Sequence, residues 1–187
     1  MTETPVLRSN ARRNRDRILE VAHEALTASA DASLNSIAKS AGVGIATVYR
    51  HFPTREELVL AVYRLEVDQV SELAPELLER EAPIDALRDW MLRLARYGMT
   101  KHGLAEAMGA LREGLADETR GKILGAIDLL LRACEADGAI RPGVRADDYL
   151  LAMTGLFRMD PAGDWEEQAR RLIDLLVAGL EAGAPAR

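Results

Sequence analysis

A single cysteine, Cys134, leaves this chain without an internal disulfide, and its place on an apolar helical stripe makes it core filler rather than a redox sensor. No run approaches the roughly 18 to 20 apolar residues that span a bilayer, and the stretch MTETPVLRSNARRNR at the amino terminus has no apolar signal region. A cytoplasmic protein with no membrane segment is therefore expected. The three histidines, His23, His51 and His102, lie far apart without metal-ligand spacing. H-E-x-x-H, G-x-S-x-G and P-loop patterns are absent, and the many acidic residues read as solvated helix faces, so neither catalysis nor a cofactor is expected. No strand-like alternation of apolar and polar residues appears anywhere. Gly42-Val43-Gly44 does not follow a β-branched run, which argues against a dinucleotide loop.

What the chain does have is helical periodicity and divided charge. Its 187 residues, 48% hydrophobic and 29% charged, allow one large or two small domains. The net charge of −6 is uneven: residues 1–60 hold eight Lys/Arg against seven Asp/Glu, residues 61–187 sixteen against twenty-three. Arg8, Arg12, Arg13, Arg15 and Arg17 cluster at the entry to the first helix with only Asp16 opposing them. Such a basic arm suits phosphate or minor-groove contact; a solvated tail is the other reading for Arg8.

The densest signal is Ile37 to Leu58, IAKSAGVGIATVYRHFPTREEL. Ser33 stands at an N-cap position before a helix running to about Ala41, with Ile37, Ala38 and Ala41 on one face. Gly42 follows where the helix must stop, Val43 is expected as a buried plug, and Gly44 as the N-cap of a second helix from Ile45 to about Phe52. There Val48 and Phe52 repeat at i and i+4, leaving Ile45, Ala46, Thr47, Tyr49, Arg50 and His51 mostly outward. Pro53 breaks the helix, and Thr54-Arg55-Glu56-Glu57 forms a capping box for a long helix with Leu58, Ala61, Val62 and Leu65 in phase. Two short helices joined by a glycine turn, the second with a polar and aromatic outer face, form a helix-turn-helix pattern suited to groove reading.

Ala41-Gly42-Val43 followed by Thr47-Val48-Tyr49-Arg50-His51-Phe52 resembles the DNA-binding domain of the TetR family of transcriptional regulators. The resemblance in motif covers about the first third of the chain. It departs from the family pattern in the loop from Ala28 to Ala32, which lacks a glycine, and at Ala46, often glycine. The resemblance implies that the second helix enters the major groove of a double-stranded DNA operator. Thr47, Tyr49, Arg50 and His51 would then face DNA, Ile45 and Ala46 would offer apolar base contact, and Arg12, Arg13, Asn35, Lys39 and Arg55 would lie near phosphates.

The rest reads as helices. A first helix from about Asn14 to Ala28 packs Ile18, Val21, Ala22, Ala25 and Leu26 inward. Pro75 and Pro83 mark a junction after the fourth helix. Ile84 to about Lys101 forms a helix, the glycine-rich zone from Gly103 to Gly125 one or two short ones, and Ile123 to Cys134 a clearer one stopped at Gly138. Asp147 to Phe157 and Asp164 to Ala182 form an antiparallel pair across the breaker Met159 to Gly163. The expectation is an all-α fold of about nine helices, divided into a helix-turn-helix domain with its basic arm (8–57), a connecting helix and junction (58–83) and a helical effector-binding and dimerisation domain (84–187). Leu151, Leu172, Leu175, Leu176 and Leu180 are the expected interface of a homodimer, since one two-turn helix reads too few base pairs alone. Trp90, Met91, Leu94, Tyr97, Met108, Leu111, Leu131, Met153 and Phe157 are the candidate lining for a small apolar or amphipathic effector. The function that follows is a ligand-responsive repressor; the alternative is a helical interaction module or co-regulator without specific DNA binding.

Overall fold

A computed structural model describes residues 5–29, 31–108, 112–160 and 163–182, and within these all side chains except those of 5–9, 99–118 and 157–158. Met108 and Phe157 are thus described by backbone alone, and Leu111 lies outside the described residues. The helices are α1 (Pro5–Ala28), α2 (Leu34–Ala41), α3 (Ile45–His51), α4 (Arg55–Leu78), α5 (Pro83–Met108), α6 (Arg112–Ala136), α7 (Ala146–Met153), which tightens into a 3-10 turn (Thr154–Arg158), and α8 (Trp165–Ala182). The chain is all-α, with eight α-helices and no strand among the described residues. None of these helices is long and apolar enough to cross a membrane.

Two expectations about helix length require correction. The glycine-rich zone is not a set of short helices: α5 continues through Gly98 and Gly103, and α6 through Gly121 and Gly125. Glycine costs about 1 kcal/mol against alanine in a helix, which the packing of Ile123, Ala126, Ile127, Leu130, Leu131 and Cys134 outweighs. At the amino end, α1 starts at Pro5 rather than Asn14. Proline at a first helical position forfeits a donor that has no intrahelical partner there anyway. Pro83 opens α5 in the same way, whereas Pro75 sits inside α4, which stops only after Leu78.

Two compact units divide the chain, one taking Met1–Leu65 with Lys101–Leu111, the other Glu66–Thr100 with Arg112–Arg187. In the first, Ile18, Leu19, Ala22 and Leu26 of α1 are buried with Ile37, Ala38 and Ala41 of α2, Val48 of α3, and Leu58, Val59 and Val62 of α4. In the second, Trp90, Met91 and Leu94 of α5 are buried, as are Leu130 of α6, Met153 of α7 and Ile173 and Val177 of α8. The Trp90 indole N–H donates to the Val70 carbonyl at 2.8 Å. The Tyr149 hydroxyl lies 2.9 Å from the Met91 sulfur. Ion pairs join Lys122 to Asp68, Arg120 to Asp147 and Arg96 to Glu166 at the surface, where such pairs contribute roughly 0 to 1 kcal/mol each.

Candidate nucleic-acid interface

The geometry of the helix-turn-helix follows from its caps. Ser33 Oγ accepts the Ser36 N–H at 3.1 Å, giving one of the first amides of α2 a partner. Gly42 ends α2 at φ 67°, and its N–H reaches the carbonyls of Ala38 and Lys39. That left-handed backbone favours glycine because it removes the Cβ clash. Gly44, in extended conformation, starts α3 with no side-chain cap. Val43 between them is only half-buried, contrary to the expected plug, while Ala41 and Val48 on either side of the turn are fully buried. Thr54 Oγ1 accepts the Glu57 N–H at 3.1 Å and so begins α4.

With Val48 and Phe52 buried, the phase of α3 is set. Ala46, Tyr49 and Arg50 are exposed, Tyr49 by 50%, while Ile45, Thr47 and His51 are half-exposed. Over its seven residues α3 therefore presents a hydroxyl, a phenol and a guanidinium around a small apolar patch. Asn35 and Lys39 are exposed on α2, and Arg12 and Arg13 on α1. Arg55 is turned to internal use: its Nη1 donates to the Ala32 carbonyl at 2.6 Å, tying the start of α4 to the loop before α2.

Burial, then the charges of Arg50 and Arg15, push the pKa of His51 below the ordinary 6.5, and its Nε2 is buried with no hydrogen-bond partner. Its ring is tilted against that of Phe52 with centroids 6.4 Å apart. Arg15 places its guanidinium 5.4 Å from the Phe52 ring centroid, a cation–π contact that joins α1 to the end of α3. Arg17 reaches the turn itself, its Nη2 3.6 Å from where a Cβ on Gly42 would stand. Neither arginine was assigned a place by its spacing alone, because each meets a residue more than twenty positions away.

The candidate effector residues Trp90, Met91, Leu94, Leu131 and Met153 are buried in the second unit, and Tyr97 is half-buried with its hydroxyl enclosed. Of the candidate interface leucines, Leu151 and Leu175 are 69% and 70% exposed, Leu172 and Leu176 half-buried, and Leu180 buried in its own unit. Among the described residues no group of three His, Cys, Asp or Glu is placed to hold a metal ion.

A capped helix-turn-helix in one unit and a second, helical unit in the same chain define the class of helix-turn-helix regulators. Residues 18–62 match the model of bacterial regulatory proteins of the tetR family, and residues 82–182 that of the transcriptional regulator SbtR-like C-terminal domain. A solved TetR transcriptional regulator from Streptomyces coelicolor is 38% identical, covering 89% of this chain and 97% of that one, with a TM-score of 0.78. A TetR regulatory protein from Mycobacterium vanbaalenii is 31% identical over 93% and 98%, with a TM-score of 0.74. The chain belongs to the TetR family of transcriptional regulators. HTH-type transcriptional regulators of Staphylococcus aureus are 38% identical over 64 residues, 33% of this chain. That match spans about a third, 35%, of the length of these curated relatives.

Proposed function

We propose that this protein is a cytoplasmic repressor that binds a palindromic double-stranded DNA operator as a homodimer and is released by a small apolar or amphipathic effector. The observation that carries the reading is the outer face of α3, where Thr47, Tyr49 and Arg50 stand beside Ile45 and Ala46 on a helix fixed from behind by Val48 and Phe52. Arg50 suits the paired acceptors of guanine or a phosphate; Tyr49 and Thr47 suit phosphate oxygens or a thymine methyl. Asn35, Lys39, Arg12 and Arg13 lie where phosphates pass, and His51 anchors the backbone beside them. Residues 8–57 are the reader and 58–83 its connection to the dimerisation and effector domain, 84–187. Leu151 and Leu175, with Leu172 and Leu176 behind them, offer α7 and α8 to a second copy. Effector contact is assigned to the cluster around Trp90, Met91, Leu94, Tyr97, Leu131 and Met153. An effector that prefers the conformation with misplaced reading helices lowers operator affinity by its differential binding.

Selection from a random duplex library at low salt, followed by mobility shift, tests the reading. The expected result is a palindromic consensus, with Tyr49→Ala/Arg50→Ala losing about 100-fold or more in affinity while the fold stays intact. Failure to enrich any sequence, or an unchanged affinity in the double variant, overturns it.

A further inference from the structure

The arginines that crowd the start of α1 do not share one role, because Arg15 is taken up by a ring of the helix-turn-helix. Its guanidinium carbon lies over the Phe52 ring, 5.4 Å from the centroid, within the roughly 6 Å at which the negative face of an aromatic ring attracts a cation. Phe52 is the residue on which α3 ends: its N–H closes the last turn on the Val48 carbonyl at 2.8 Å, and its side chain is buried. A charge on α1 thus meets the residue that terminates the helix carrying Thr47, Tyr49 and Arg50. The surroundings leave that end little else to hold it. The His51 ring lies tilted against the same phenyl, centroids 6.4 Å apart, and its Nε2 is buried with no hydrogen-bond partner. At the other end Gly44 supplies no side-chain cap. A helix of seven residues has little stability of its own, so its direction is set by what it packs on. Val48 and Phe52 do this from beneath, and Arg15 adds the tie from α1.

We propose that Arg15 is a positioning residue for base reading: through the Phe52 ring it fixes the carboxyl-terminal end of α3, and with it the aim of Tyr49 and Arg50, instead of neutralising a phosphate. This rests on the reading in which α3 meets the bases and adds what holds α3 in place. Tyr49 and Arg50 lie within three residues of Phe52, so a tilt at that end displaces them directly. Arg15 is exposed, where a cation–π contact is weak, so its loss shifts a helix within a folded unit and registers as lost discrimination between sequences, not as unfolding. Its charge also opposes protonation of His51, after burial and Arg50, which gives the contact a spectroscopic signature.

The test compares the full-length protein with Arg15→Met, which keeps reach without charge, and Arg15→Lys, which keeps a cation for the ring. Each is titrated by fluorescence anisotropy against the duplex that the unaltered protein selects from a random library and against a scrambled duplex, between about 50 and 200 mM salt. Arg15→Met is expected to narrow the ratio of the two affinities about two- to fivefold, with the affinity for the scrambled duplex and its salt slope unchanged, and Arg15→Lys to restore most of the ratio. Phe52→Leu should narrow the ratio as well, and adding Arg15→Met to it should lose nothing further, because the two act through one contact. A phosphate ligand behaves otherwise: its loss weakens both duplexes equally, lowers the salt slope by about 0.9 per protomer and adds to that of Phe52→Leu. Any of these three results overturns the positioning role, as does an unchanged ratio in Arg15→Met. Should Phe52→Leu fail to fold, the NMR titration of His51 takes its place: its pKa is expected to rise in Arg15→Met, and an unchanged value overturns the contact. If an operator is selected but Arg15→Met behaves as a lost phosphate ligand, the positioning role alone fails; if the unaltered protein selects no duplex, base reading by α3 fails with it.

Discussion

In the helix-turn-helix unit, several polar side chains work at helix ends and on the outer faces. Ser33 and Thr54 each cover an amide, Arg55 holds a loop carbonyl, and Tyr49 and Arg50 face outward. In the second unit, some polar groups are drawn inside while some leucines stand exposed. The Trp90 indole is spanned to a backbone carbonyl, Glu66 is buried, and Leu151 and Leu175 stand in the open. The contrast teaches where a substitution registers. In the first unit a change on the outer face alters what can be contacted and leaves the fold alone; in the second a change in the interior alters stability.

Trp90→Ala is the most severe way to break this comparison. It empties a fully buried site and removes the donor to the Val70 carbonyl, so a loss of about 3 to 5 kcal/mol is expected in denaturant unfolding. A loss under about 1 kcal/mol would show that the second unit does not depend on that bulk.

Glu66→Gln is next. Burial raises the Glu66 carboxyl from the ordinary 4.5 to about 7. Between these values the folded chain holds the proton more tightly than the unfolded one, so stability falls as pH rises through the window and the penalty persists above it. Glutamine keeps the shape without the charge. The variant is expected to be more stable than the parent by about 3 kcal/mol above pH 7, with the difference vanishing near pH 4.5. Thermal unfolding across that pH range measures it, and a constant difference between the two proteins would sink the assignment to Glu66.

Much of the first unit was legible because its signals are local. A serine, then a glycine nine residues later, bound α2, and Val48 with Phe52 gives the outer face of α3 directly. Legibility ended where distant residues decide. Arg55 looks like a phosphate ligand in a capping box, yet it meets Ala32, twenty-three positions away. The start of α1 was missed because its first turns carry arginines and asparagines with no apolar face to reveal a period, although Pro5 is a standard helix opener. Gly98, Gly103, Gly121 and Gly125 suggest breaks that the helices run through; around Gly121 and Gly125 the burial of Ile123, Ala126 and Ile127 overrides the glycine cost, and no local rule weighs that burial. Leu151 and Leu175, named among the expected interface leucines, stand exposed, whereas the enclosure of Glu66 depends on packing that the sequence does not display.

Gly42→Ala sharpens the first half of the comparison at a smaller scale. Its φ of 67° costs an L-residue about 1 to 2 kcal/mol, while the new Cβ would meet Arg17 at an ordinary 3.6 Å. The loss is therefore expected from the backbone and not from crowding. Gly42→Asn, more tolerant of that conformation, should recover part of it in the same unfolding measurement.

Ser33→Ala is the smallest effect and the most discriminating. It removes the acceptor of the Ser36 N–H at an exposed helix start, where water replaces it imperfectly, and about 1 kcal/mol is expected to go. Ser33→Asp restores an acceptor and places a negative charge at the positive end of α2, so it should match or exceed serine in stability. On DNA the two variants are expected to part. The alanine variant should bind normally once folded, because Ser33 itself reads nothing. The aspartate variant carries its charge two residues from Asn35, on the side where phosphates are proposed to pass, and should bind more weakly at low salt than at high salt relative to the parent. Equal DNA affinity of parent and aspartate variant at low salt would place the start of α2 away from the duplex, leaving α3 with Arg12 and Arg13 of α1 to carry the contact alone.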